Sequence, residues 1–111
     1  MNKLYKDKKI LIVDDDTVWL NQLSRAMSRR GLDVHEAKSV TEAFDILSRE
    51  SFDFGVIDLR LDDGDGLEVV LELRKVNPNS RSIILTGFGI LKFILAILSF
   101  IFSAAFFINE Q

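Results

Sequence analysis

Short apolar runs, each broken off by polar residues and followed by an amphipathic stretch, constrain this chain more than any other feature. Residues 9–14, "KILIVD", run four apolar side chains straight into the three adjacent carboxylates Asp14, Asp15 and Asp16. A continuous apolar run rich in β-branched residues is the pattern of a strand buried on both faces, as in a parallel sheet. Over 17–30 the apolar residues Leu20, Leu23, Ala26 and Met27 return at helical spacing, and Gly31 stands where a helix C-terminus needs a residue free to turn left-handed. Leu32, Val34 and Glu36 give a weaker second strand. "SVTE" at 39–42 has capping-box spacing, and behind it Val40, Ala43, Phe44 and Leu47 share one helix face. "FGVID" at 54–58 is a third strand that again ends in an acid, followed by the turn-rich "LDDGDG". Leu67, Val70, Leu71 and Arg74 suggest a third helix with one apolar side, and "SIILT" at 82–86 a fourth strand.

This β-α-β-α-β-α-β order with short connections implies parallel strands joined by right-handed crossovers, with helices on both faces of one sheet. Ligands of such sheets bind beyond the carboxyl ends of the strands. Asp14, Asp15, Asp58 and Thr86 all stand there. Crowded carboxylates repel, and burying them is costly unless a cation, a shared proton or solvent relieves the charge. Asp15 and Asp58 on neighbouring strands offer oxygen ligands with no His or Cys nearby, which suits a hard cation, above all Mg²⁺. Such an ion would couple the site to phosphate chemistry, with a carboxylate as nucleophile and the Thr86 hydroxyl on a phosphoryl oxygen.

Composition narrows the choices. The net charge is -3, so no basic field invites direct nucleic-acid binding, and the absence of cysteine excludes disulfides and thiolate metal sites. The charged "MNKLYKDKKI" lacks the apolar core of a secretory signal, which makes the cytoplasm the expected location of residues 1–87. All but two of the charged side chains fall in that part, whereas six of the nine Phe lie in 88–111. The segment 88–108, "FGILKFILAILSFIFSAAFFI", would span about 31 Å as a helix, near the thickness of a bilayer core. It is expected to associate with membranes, with Lys92 snorkelling on the side of the charged part.

"LIVDDD", "VIDLRLDDGDGL" and "ILTG" together resemble the motifs of response-regulator receiver domains of two-component signalling, over about residues 8–89. "DLRLDDGDGL" with "LTGFG" is most similar to the redox-responsive RegA/PrrA subgroup. The resemblance implies a flavodoxin-like α/β fold, a phosphorelay role with a histidine kinase as partner, and bound Mg²⁺; that strand order is the family's and is not read from the spacing. It makes Asp58 the phosphoacceptor and Thr86 the switch hydroxyl. It also makes Asp14, Asp15 and Asp58 metal ligands, together with the main-chain carbonyl of Arg60. Such a module accepts phosphate and is not a turnover enzyme. Receivers also carry a fifth strand ending in Lys, with an aromatic switch residue, and neither follows Thr86 here. The expected organisation is an incomplete receiver at 1–89, lacking that strand and the last helix, then an apolar helix at 90–108 and a tail at 109–111.

Two other readings stay open. "IVDDDTV" fits the first motif of haloacid-dehalogenase-like phosphatases, which would make Asp14 the nucleophile, Asp16 the acid/base and Thr86 the second-motif hydroxyl. The other is a membrane-bound remnant with no signalling role. An EF-hand is excluded, because placing Gly66 at loop position 6 puts Leu61 at position 1, where an acid is required. Asp16 reads as a first-turn acid or cap, His35 as a partly exposed strand residue, and Trp19 as a packing residue.

Overall fold

A computed structural model describes residues 5–85. Its elements in chain order are β1 (Lys9–Val13), α1 (Thr17–Arg29), β2 (Asp33–Ala37), α2 (Val40–Leu47), β3 (Phe54–Asp58), β4 (Arg60–Leu61), β5 (Gly64–Asp65), α3 (Gly66–Val76) and β6 (Arg81–Leu85). The main sheet has the order β2-β1-β3-β6, and each neighbouring pair runs parallel. This is the flavodoxin-like arrangement of a doubly wound sheet.

Alternation along β1 divides the core. Ile10 and Ile12 face α1 and pack with Trp19, Leu20, Leu23 and Met27. Leu11 and Val13 face the other way, among Ala43 and Leu47 of α2 and Val69, Val70 and Leu73 of α3. Helices therefore cover both faces, as the alternating pattern implied. The end of α1 follows its sequence signal: Gly31 has φ 93°, and its N–H donates to the Ser28 carbonyl at 3.0 Å.

Three expectations need correction. The apolar stripe of α3 is Gly66, Val69, Val70 and Leu73, while Leu67 and Leu71 are 45% and 63% exposed. The rotation of α3 is fixed at its first residue, where the Gly66 backbone lies against the Asp58 carbonyl. A Cβ on Gly66 would meet that oxygen at 2.0 Å. Phe44 leaves the α2 face expected for it and is 38% exposed. "LDDGDG" is more than a loop, since β4 and β5 pair antiparallel as a small hairpin whose turn is Asp62–Asp63.

The apolar helix expected at 90–108, the expectation that a fifth strand and last helix are missing, and Thr86 all lie outside the described residues. Among the described residues no helix is long and apolar enough to cross a membrane.

Candidate functional site

The site grows from the carboxyl ends of β1 and β3, adjacent and parallel. Pairing continues one residue past β1, where the Asp14 N–H donates to the Ala37 carbonyl at 3.0 Å. That places Asp14 fully buried at the end of the strand. Past β3, the Leu59 N–H donates to the Leu85 carbonyl at 2.9 Å and the Gly66 N–H to the Leu59 carbonyl at 2.7 Å. Asp58 is thereby held between β6 and the start of α3, and it is 8% exposed.

Asp14, Asp15 and Asp58 each bring a carboxylate oxygen to within 4.8 Å of the others. Backbone donors orient two of them: the Asp16 N–H donates to Asp14 Oδ1 at 2.9 Å, and the Arg60 N–H to Asp58 Oδ1 at 3.2 Å. Asp15 is more open to solvent than its two companions. Desolvation, followed by the like charges of Asp62 and Asp14, raises its carboxyl above the ordinary range. Asp62, on the turn of the β4–β5 hairpin, thus stands close enough for its charge to act on Asp15.

Three oxygen donors, one at the end of β3 and two in the loop just after β1, all hard and anionic, form a donor set that fits Mg²⁺ or Ca²⁺ and does not fit a soft metal. Of the residues expected at the site, Asp14, Asp15 and Asp58 converge; what Arg60 brings to them is its N–H on Asp58 Oδ1, a different group from the carbonyl expected as a ligand. Asp16 does not converge. Its Oδ1 accepts from the Trp19 N–H at 3.2 Å as the N-cap of α1, so the side chain the phosphatase reading needs as acid/base serves the helix. Trp19 is buried in the α1 core. His35 is half-buried on β2, 3.3 Å from Asp33 Oδ1 and 3.6 Å from Glu50 Oε2, with its ring edge-on to Phe52.

Sequence reasoning missed the hairpin's own acids. Asp65 caps α3: it accepts from the Leu67 N–H at 2.8 Å and closes a capping box with Glu68. The signal was present as "DGLE", an acid three residues before a Glu. Asp63 reaches across to α2, where its carboxylate accepts from the Val40 N–H at 2.8 Å, the Thr41 N–H at 3.0 Å and the Thr41 hydroxyl at 2.8 Å. These bonds span 22 and 23 residues, and no local pattern announces them.

The Asp63 bonds, the Thr41 N–H foremost, hold its carboxyl below the usual range, and the Lys9 ammonium beside Glu50 does the same there. A carboxyl lowered in the folded state contributes stability above its unfolded pKa and loses that contribution as pH falls through the folded value. Urea midpoints are therefore expected to drop as pH falls below about 4. Asp63→Asn should flatten that drop; an identical pH profile in the variant would remove Asp63 as a source.

Known proteins share this architecture. The family model for the response regulator receiver domain matches residues 10–102. The photosynthetic apparatus regulatory protein RegA of Rhodobacter capsulatus is 44% identical over 78% of this chain and 47% of its own length. The acid tolerance regulatory protein ActR of Rhizobium meliloti (strain 1021) is 47% identical over 75% of this chain and 43% of its own. The chain thus spans about half the length of these relatives. Among solved structures, a response regulator protein from Burkholderia pseudomallei with a phosphorylated aspartic acid, calcium ion and citrate has a TM-score of 0.68 and 34% identity. That match covers 82% of this chain and 54% of the other.

Proposed function

Since the chain belongs to the family of response-regulator receiver domains of two-component systems, we propose that Asp58 is its phosphoacceptor, loaded from a histidine kinase with Mg²⁺ bound at Asp14, Asp15 and Asp58. The observation that carries this reading is the approach of those three carboxylates at the carboxyl ends of adjacent parallel strands. The Burkholderia pseudomallei structure, with its phosphorylated aspartic acid and calcium ion, supports an acid acceptor beside a divalent cation.

In the transfer, one Asp58 carboxylate oxygen attacks phosphorus and forms the new P–O bond. The P–N bond to the donor histidine breaks, and the nitrogen leaves with its electron pair. The product is an acyl phosphate. When bound, Mg²⁺ neutralises the carboxylates and the phosphoryl oxygens that must approach them. Asp14 and Asp15 would hold the ion with the Arg60 carbonyl as a further ligand, while the Arg60 N–H orients Asp58. Thr86 follows Leu85 directly and would donate its hydroxyl to a phosphoryl oxygen. The module accepts phosphate and does not turn over a substrate, and its setting is the cytoplasm.

Incubation of the chain with a small phosphoramidate should attach one phosphoryl group in the presence of Mg²⁺ and none with excess chelator. Uptake that ignores the chelator would remove the cation from the reading. The cation has its own reporter, because Trp19 stands in the first turn of α1, four residues after Asp15. Mg²⁺ should change Trp19 fluorescence, and Asp15→Asn should abolish the change; an unaltered titration in that variant would place the ion elsewhere.

A further inference from the structure

The two acids at the turn of the β4–β5 hairpin face different neighbours. Asp62 brings its charge to the side of Asp15, while Asp63 engages the first turn of α2 with both carboxylate oxygens. The base of the same hairpin is fixed beside Asp58, through the Arg60 N–H on Asp58 Oδ1 and the Gly66 N–H on the Leu59 carbonyl. Six residues, 60–65, thus form one small unit anchored at its base under the acceptor and at its turn on α2. The Val40 side chain lies close over Gly64, where an added Cβ would come within 3.2 Å of Val40 Cγ2.

Accounting for the donors at the start of α2 shows how much rests on Asp63. A helix begins with four N–H groups that lack partners within the helix. Ser39 serves one of them, its hydroxyl accepting from the Glu42 N–H at 3.0 Å, while its carbonyl takes the first bond within the helix, from the Ala43 N–H. Asp63 serves two more, Val40 and Thr41. The Glu42 side chain reaches back to the Lys38 N–H, so it is not free to replace either capping residue. Ser39 and Asp63 therefore cap the same helix end, but only Asp63 belongs to the hairpin that carries Arg60 and Asp62.

We propose that Asp63 is a positioning residue for the cation site: by tying the hairpin turn to α2 it fixes how the Arg60 main chain and Asp62 stand against Asp14, Asp15 and Asp58. This rests on the reading of that acid cluster as a divalent-cation site. Asp63 touches no ion itself; it acts through the backbone of 60–62.

The test is a Mg²⁺ titration of Trp19 fluorescence on the full chain, with wild type, Asp63→Ala, Asp63→Asn and Ser39→Ala in parallel. Asp63→Ala should weaken Mg²⁺ binding about tenfold, the scale seen when a group supporting metal ligands is lost. Asp63→Asn keeps one acceptor oxygen for the α2 donors and should restore part of the affinity. Ser39→Ala loosens the same helix end without touching the hairpin and should bind Mg²⁺ as wild type does. An Asp63→Ala affinity equal to wild type overturns the proposal, and so does an equal loss in Ser39→Ala, which would reduce Asp63 to a helix cap. A wild type that ignores Mg²⁺ overturns the cation reading itself, and that result is distinct from both.

Discussion

Asp58→Asn is expected to lower phosphoryl uptake from a phosphoramidate by at least about a hundredfold, because an amide oxygen cannot form the acyl phosphate. The substitution keeps the size of the side chain, and Asn Oδ1 can still accept from the Arg60 N–H, so folding should survive. The Mg²⁺ response should weaken without vanishing, since Asp14 and Asp15 remain. Asp16→Asn is the informative partner. Asn caps helices as well as Asp does, and the Asp16 side chain serves the Trp19 N–H, so uptake should stay near wild type. Full uptake in Asp58→Asn, or its loss in Asp16→Asn, would move the chemistry towards the phosphatase arrangement.

Gly66→Ala should cost about 3 kcal/mol of stability, the upper range for forcing atoms into a packed site. The clash is with backbone: the new methyl would lie 2.0 Å from the Asp58 carbonyl oxygen and 2.9 Å from its carbon. No rotamer relieves it, so the start of α3 must move away from β3 and take the Leu59–Gly66 hydrogen bond with it. Because Asp58 lies at that junction, the variant should also lose its Mg²⁺ response. With a urea dependence of about 1.5 kcal/mol per molar, the unfolding midpoint should fall by about 2 M. Gly55→Ala provides the comparison, since its methyl would meet the ends of the Ile57, Leu73 and Ser82 side chains at 2.9–3.0 Å, and these can shift. A smaller loss is expected there. A Gly66→Ala chain that melts like wild type would show that the contact is not tight.

The same glycine explains where the sequence was hard to read. Strand and helix order followed from periodicity because β1 is buried on both sides and α1 on one, and burial of that kind leaves apolar runs and stripes. The rotation of α3 did not follow, because it is set by a backbone approach at Gly66 and not by which side chains are apolar; Leu67 and Leu71 stay outside despite their spacing. The acids of the site were legible for a topological reason. Strand ends in a parallel sheet converge at one edge, so Asp14, Asp15 and Asp58 could be placed together before any distance was known. Asp62 and Asp63 were not, since their roles depend on a hairpin of two-residue strands and on partners in α1's loop and α2. Charge in a turn-rich loop looks like simple solvation until the partners are seen.

The measurement closest to the central claim is the position of the phosphoryl group. The chain should be incubated with phosphoramidate and Mg²⁺, the acyl phosphate reduced with borohydride to trap the modified side chain, and the peptides sequenced by mass spectrometry. Modification is expected at Asp58, in the peptide that contains "FGVIDLR". Modification at Asp14, with Asp58 unmodified, would contradict the account.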